Sequence, residues 1–462
     1  MFEKIRGFLM NIFSILSGQS VKELTGQHAN LSADMYGAIR LCNAVMAHSA
    51  PWNKKAPSCG IPDQIAGMLS ETVMQEIGLE VANPALQRPL AHLNANLSKI
   101  VQYVALTGSA LVRPVYANGK LQYDVLQLGS YLPLLYDFDG TLLSCLVFKC
   151  IEDPARADSY FLLVEKQEYS GGAHAVTNTL YRGTGGVLRK ARLTDCPQTA
   201  GLTEAYTWHN VARPMVIEFR SHVINKIDGS NIPVALVWGA VDLIKAADRQ
   251  FARMDWEQEA GKKKIFADRD LFARRQAKDG GEAKAKLSPE LNDLIVQIDG
   301  DGSADGSKIK EFSPELRTSA QAEYFQQVLR RIESALNLGK GSVSNLEGVQ
   351  QTATQYSGGR KSFYSIVDTL EDEIERKMQD CADVFAHIAA AYGLGSADST
   401  IRIIWNDGLR KDPLSERQQA MQEVAAGLMG VAEYRMKFYG EDEATARKKA
   451  EELKPAQGAF VL

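Results

Sequence analysis

Apolar positions change their spacing several times along the chain, and each change predicts a different architecture. From Ser32-Ala-Asp to Met46 they recur at helical intervals, and further runs of this kind cover about 63–79 and 86–107. Spacings of three and four put such residues on one face of a helix. From Ala110 to Arg220 the spacing drops to two, the mark of half-buried strands. Asn118-Gly119 separates LVRPVYA from KLQYDVLQL, Asp139-Gly140 separates YLPLLYDF from TLLSCLVF, and Gly171-Gly172 follows SYFLLVEKQEY. Tight turns need residues that tolerate positive φ, so this stretch predicts a meandering antiparallel sheet carried on helices. The first half of the chain is therefore α+β.

After Pro233 the helical spacing returns. Ala240, Ile244, Ala247, Phe251 and Met254 form a narrow apolar stripe over 234–260, as expected of a helix packed at a seam. Lys245, Arg249 and Arg253 line another face. A Lys- and Arg-rich segment follows, then the strand-like LNDLIVQI and the polar loop DGDGSADGSK. A second helix is predicted over about 318–337, with Phe325, Leu329, Ile332 and Leu336 on one face. NLGKGSVSNLEG interrupts the pattern. A third helix over about 352–393 buries Ile366, Leu370, Ile374, Met378, Cys381, Phe385 and Ile388, and Gly358 and Gly359 in its first turns should bend or weaken it. The tail holds the strand-like TIRIIW and helices starting near Pro413 and Asp442. No internal repeat of useful length is present.

Composition narrows the classes. The 462 residues predict two to four compact units, and 52 basic against 56 acidic residues leave a net charge of −4. A hydrophobic fraction of 45% and a charged fraction of 23% exclude wholesale disorder and a collagen-like chain. A generic basic nucleic-acid binder is excluded too, so any DNA contact must be local. The six cysteines are scattered without a C-x-x-C pair and read as free thiols. MFEKIRGFLMNIFSILSGQS looks briefly like a signal peptide, but Asn11 interrupts its apolar stretch and no small-x-small site follows. It reads as a short amphipathic packing helix. Nothing approaches the ~20 apolar residues of a membrane span. Residues 262–286 carry nine basic and four acidic side chains, a run that serves either as a solvated face or as a contact for a polyanion.

The sharpest catalytic motif is DFDGTL at 137–142. It looks like the first motif of haloacid-dehalogenase-type phosphatases, in which Asp137 would attack phosphorus and Asp139 would handle the leaving-group proton. Gly300-Asp301 with Asp305 fits the later acidic motif of that superfamily. Such a motif should end a parallel strand and open into a helix. Here Asp-Gly lies between two alternating strands, where a tight turn wants those residues. NLGKGSV lacks the spacing of a phosphate loop, because Ser334 stands where its first glycine belongs. The loop 299–311 lacks the twelfth-position glutamate of a calcium loop, having Phe312 there. No metal-ligand spacing or nucleophile motif is present, so no metal, no cofactor and no enzymatic activity are expected.

From Ile232 onward the chain resembles the portal proteins of tailed double-stranded DNA phages, the family of long-tailed phages in particular. The resemblance rests on NIPVALVWGAVDLIKAADRQFARMDWEQEAGKKKI, on GVQQTATQYSGGRKSFYSIVDTLEDEIERKM and on NDGLRKDPLSERQQAMQEVAAGLMGVAEYRMKFYGEDEATA. It implies a portal fold with a helical stem and crown, a β-rich wing and a small α/β clip. By position, 1–231 would be the wing, 232–261 the first stem helix, 262–316 the clip and 317–337 the second stem helix. The tunnel loop would be 338–351, the long bent helix of the wing 352–393 and the crown 394–462. The resemblance further implies a homo-oligomeric ring, normally of twelve subunits, assembled in the host cytoplasm and placed at one capsid vertex of the virion. Its partners would be double-stranded DNA passing through the channel, the terminase large subunit, the major capsid and scaffolding proteins and a head–tail adaptor. Lys340, Ser342, Ser344 and Asn345 would then meet DNA in the tunnel loop. Lys262, Lys263, Lys264, Arg274 and Arg275 would form the basic clip surface for a partner or for DNA. Lys245, Arg249 and Arg253 would face the channel or a neighbour's acids, and Gly358-Gly359 would be a hinge. A channel that lets DNA slide must not hold it tightly, since each neutralised phosphate adds counterion-release affinity. An acidic subunit with few local basic groups suits that need.

Overall fold

The computed structural model describes residues 31–452 except 75–76, 118, 157–158, 185–186, 269–274, 277–281, 284–293, 299–308, 346–352 and 406–412. The predicted N-terminal helix lies outside the described residues. Helix α1, Ala33–Met46, starts at Ser32, whose hydroxyl accepts the Met35 N–H at 3.0 Å and so satisfies one orphan donor of the first turn. Helix α2 covers Ile61–Met74. The predicted helical run to residue 79 is corrected here: Ile77–Val81 is a strand, β1, paired antiparallel with Ile401–Trp405. Its apolar residues fit a helix as well as a strand locally, and the distant TIRIIW decides. The run 86–107 is likewise two helices, α3 (Pro84–Ala95) and α4 (Leu97–Thr107). Asn96 divides them, its side-chain amide donating to the His92 carbonyl at 2.8 Å. An Asn that bonds the local backbone favours such breaks.

The alternating region folds as its turn residues predict. Strands β2 (Ser109–Ala117) and β3 (Lys120–Gln127) form the hairpin around Gly119. Strands β4 (Tyr131–Tyr136), β5 (Leu142–Glu152), β6 (Ser159–Ser170), β7 (Ala173–Thr184) and β8 (Val187–Ala191) form an antiparallel meander. Gly171 and Gly172 join β6 to β7 with φ of 57° and 78°, the paired positive angles of a two-residue hairpin turn. Strand β9 (Ala205–His209) pairs with the first half of β7 and β8 with its second half. Strand β10 (Ile217–Arg220) adds to β2.

Helix α5, Val241–Ala260, leaves this body, and α6, Thr318–Ala335, returns to it. Between them β11 (Lys264–Asp268) forms a small mixed sheet, and β12 (Arg275–Gln276) and β13 (Glu282–Ala283) a short ribbon. In the mixed sheet β14 (Ile295–Ile298) lies parallel to β11 and β15 (Ile309–Phe312) antiparallel to it. Helix α7, Ala353–Ala391, stays helical through Gly358 and Gly359. Strand β16 is Ile401–Trp405, and α8 (Pro413–Ala425), α9 (Val431–Tyr439) and α10 (Glu443–Glu452) complete the described chain. The mixture of helices with several sheets is α+β.

The main core forms where α7 crosses the helices of the first hundred residues. Leu370, Ile374, Met378, Cys381, Phe385 and Ile388 are buried there with Leu69, Leu86, Leu90 and Ile100. Phe385 is fully enclosed, its ring 6.1 Å from that of Tyr123. Phe385→Ala is therefore expected to cost about 3–5 kcal/mol, because close packing prevents the site from collapsing around the lost ring. Urea unfolding followed by circular dichroism measures it, and a loss under about 1 kcal/mol would contradict this packing. The stripe predicted for α5 holds only for its first half. Ala240, Ile244 and Ala247 are buried, whereas Phe251 is 44% exposed and Met254 half-buried. The N-terminal helices cover only the first turns, and α6 alone cannot enclose the remainder. Among the described residues no helix is long and apolar enough to cross a membrane.

Candidate functional site

The helix pair α5/α6 is antiparallel; one carboxylate ties its distal end, and a second holds α5 to the body. At the distal end Glu257 accepts the Arg317 backbone N–H at 3.0 Å, the Arg317 Nε at 3.3 Å and the Gln321 amide. The Arg317 backbone bond is the main reason its carboxyl is held below the usual range. At the body end Asp248, buried, accepts Trp52 Nε1 at 2.8 Å, Asn53 Nδ2 at 3.1 Å and the Cys59 N–H at 2.8 Å. Burial, reinforced by Asp248, pushes the Cys59 thiol up to about 12, which leaves it protonated and unreactive at neutral pH. All six cysteines are free.

The basic stripe of α5 divides. Lys245 is half-buried with Nζ 5.7 Å from the Trp52 ring centre, so it belongs to the junction with the body. Arg249 and Arg253 are exposed further along. In the segment between the helices Lys262 pairs with Glu259 at 2.7 Å and Lys263 with Glu311 at 2.6 Å. Lys264 opens β11 opposite Phe312. Exposed pairs of this kind contribute little stability but do reduce the free positive charge of the surface. Arg275 falls in β12, and Arg274 lies outside the described residues.

The loop after α6 is built around one acid. Helix α6 ends with Asn337 at φ 55°, the Leu338 N–H bonded to the Glu333 carbonyl at 2.9 Å and the Asn337 N–H to that of Ser334 at 3.4 Å. This is the paired bonding by which a left-handed residue closes a helix. Leu338 is buried and anchors the loop start. The chain then folds back over Glu333, itself only 2% exposed. Its Oε1 accepts the N–H groups of Gly341 at 3.1 Å, Val343 at 2.9 Å and Ser344 at 2.7 Å, and its Oε2 accepts the Ser344 hydroxyl at 2.9 Å. Gln326 accepts the Asn345 N–H at 2.8 Å.

The four loop residues predicted to meet DNA thus differ in placement. Lys340 is exposed, Ser342 spends its hydroxyl on the Gly339 carbonyl at 2.6 Å, and Ser344 is buried against Glu333. Asn345 is exposed. Residues 346–351 lie outside the described residues. Sequence reasoning missed Glu333. The available signal was an acid next to Ile332 and four residues from Leu329, on the apolar face of its helix.

DFDGTL forms the β4–β5 turn. Gly140 N–H bonds the Asp137 carbonyl at 3.2 Å, and the Thr141 N–H bonds Asp137 Oδ1 at 2.7 Å. Gly140 stands at φ 80°, and a Cβ there would strike the Arg220 guanidinium. A cavity of about 300 Å³ opens beside the turn, lined in part by Asp137, Arg213, Glu218, Lys377 and Asp380. Its charges are largely paired: Arg213 binds Asp380 and Asp383, and Lys377 lies 3.4 Å from Asp380. Burial raises the Glu218 carboxyl even though Tyr131 and Tyr136 donate to it at 2.5 and 3.1 Å. Among the described residues no group of three His, Cys, Asp or Glu could hold a metal ion. No protein-family profile matches the chain, and no curated protein matches it either.

Proposed function

We propose that the chain is a portal subunit of a tailed double-stranded DNA phage, forming a ring at one capsid vertex through which DNA is packaged and ejected. One observation carries the reading. An antiparallel helix pair extends from an α+β body, holds a small mixed sheet at its far end and returns to a loop pinned at its base. At ~1.5 Å per residue, the 20 residues of α5 span ~30 Å, enough to line a channel segment. In a ring, neighbours would cover what a lone subunit leaves in water. Phe251, Trp256 and Tyr324 on the two helices are 44%, 69% and 50% exposed. Large apolar side chains left in water on both helices are what a neighbouring subunit would cover. The net charge of −4 and the internally paired lysines at 262–263 suit a conduit that DNA must not grip. The segment 262–316 would dock the terminase large subunit and later the head–tail adaptor, and residues 338–351 would form the constriction.

Native mass spectrometry with negative-stain imaging of the purified chain tests the reading. Rings of about a dozen subunits with an open axial hole are expected. A monomer that stays monomeric with scaffolding protein and capsid protein present would sink it. The enzymatic alternative makes the opposite prediction about Asp137. A phosphatase would lose magnesium-dependent activity on Asp137→Asn, while a portal has none to lose. Because Asn can still accept the Thr141 N–H, the substitution should leave the turn and the ring intact.

A further inference from the structure

We propose that Glu333 is a latch that occupies the anion-binding face of its own loop, so that the loop can take a phosphate group only when the carboxylate has left. The inference deepens the portal reading by naming how the constriction loop is regulated, and it rests on that reading only for its biological setting. Three backbone N–H groups, those of Gly341, Val343 and Ser344, converge within 3.1 Å on one oxygen of Glu333, and the Ser344 hydroxyl bonds the other at 2.9 Å. Neighbouring N–H donors converging in a glycine-containing turn make the concavity that proteins use for phosphate oxygens. Here the donors of Gly341, Val343 and Ser344 are filled by a side chain from the preceding helix, while the Ser342 N–H between them bonds the Gly339 carbonyl. A carboxylate and a phosphate oxygen present the same acceptor to such donors, so the two compete for one set of hydrogen bonds.

The arrangement also fixes where the loop's polarity points. While latched, its converging donors are spent inward, and Lys340 is the one basic side chain of residues 338–345 on the surface. A loop in this state offers passing DNA one cation and little else. Unlatched, the same eight residues would present three N–H groups and a hydroxyl beside that lysine, enough to hold a phosphate diester. The device switches the loop between a surface that lets DNA slide and one that holds it.

Amide hydrogen exchange on the full chain, with inorganic phosphate as the probe, tests this. In the wild-type protein the amides of Gly341, Val343 and Ser344 should be protected and insensitive to phosphate. In Glu333→Ala they should exchange about tenfold faster or more, since bonds to a charged acceptor are lost. Phosphate should then restore their protection in a saturable way, while the amides of α5 and α7 stay unchanged throughout. Should truncation unfold the protein, Glu333→Gln keeps the side-chain shape, weakens the latch and should show the same phosphate-dependent recovery to a smaller degree. Unchanged protection in a folded variant would overturn the proposal, as would an opened loop that phosphate does not protect again. Neither result touches ring formation, so the latch can fail while the portal reading stands. A chain that forms no ring sinks the portal reading and leaves this exchange result unaltered.

Discussion

On the portal reading, replacing residues 339–345 with a flexible linker, in combination with Glu333→Gln, is expected to leave rings intact and abolish DNA-filled heads. The second substitution is what makes the experiment interpretable. Excising the loop alone removes all four donors from a carboxylate that is 2% exposed. Breaking a charge away from its partners costs about 3–5 kcal/mol where the site stays closed to water, enough to disturb the packing of α6 by itself. Loss of packaging after simple deletion would then report misfolding rather than a missing constriction. Glu333→Gln removes the charge, and the remaining amide is far cheaper to leave unpaired. The pair of variants should therefore separate in melting temperature, deletion alone well below the double change. Electron microscopy of particles counts filled and empty heads. Normal filling with the double variant would remove residues 339–345 from any role at the constriction.

What could be read from the sequence depended on how local the determining chemistry is. The hairpins at Gly119, Gly140 and Gly171-Gly172 were legible because a two- to four-residue turn is specified by the residues in it. The stripe of α7 was legible because seven apolar positions at helical spacing leave one face to bury. Strand β1 was not, since Ile77–Val81 has no local reason to be a strand and takes its conformation from a partner more than three hundred residues away. Asn96 splits a continuous apolar run for the equally small reason of one side chain, whose amide bonds the His92 carbonyl and the Tyr123 hydroxyl. In the candidate site the polar composition of NLGKGSVSNLEG identified a loop, yet composition carries no information on direction. Ser344 faces inward and Lys340 outward because Glu333 lies beneath them, and that acid sits in a helix where it reads as an ordinary polar interruption. Phe251 was expected in the core on periodicity alone, whereas burial depends on how many neighbours a projecting helix has.

Lowering the pH from 6.5 to 4 is expected to remove about 3 kcal/mol of folding stability through a single residue, His174, well away from the helix pair. His174 lies at the start of β7, fully buried. Its Nδ1 accepts the Met215 N–H at 3.3 Å, which leaves the ring proton on Nε2, and Nε2 donates to Gln167 Oε1 at 2.5 Å. Gln167 in turn donates to Glu165, which Arg113 binds at 2.7 Å, so the imidazole ends a chain linking two sheets. A second ring proton would sit on Nδ1 and face the Met215 N–H, donor against donor. Burial accordingly pushes the His174 imidazole down to about 4, against an unperturbed value near 6.5. The sign follows from which state binds the proton first. Between those two values the unfolded chain is protonated and the folded one is not, so acid favours unfolding, and stability is complete above about 6.5. At 1.36 kcal/mol per pKa unit the window is worth roughly 3 kcal/mol. Buried Asp153, whose carboxyl is held low chiefly by the Ser159 hydroxyl, loses its contribution only at more acid pH, below the ordinary aspartate range. The two effects therefore fall in different windows. His174→Gln offers the same acceptor and donor without the titration, so urea unfolding at pH 7, 6, 5 and 4 should show a much flatter profile for the variant. An equally steep decline in the variant would assign the acid sensitivity to another group and show that the β7 histidine titrates in the folded protein as it does in water.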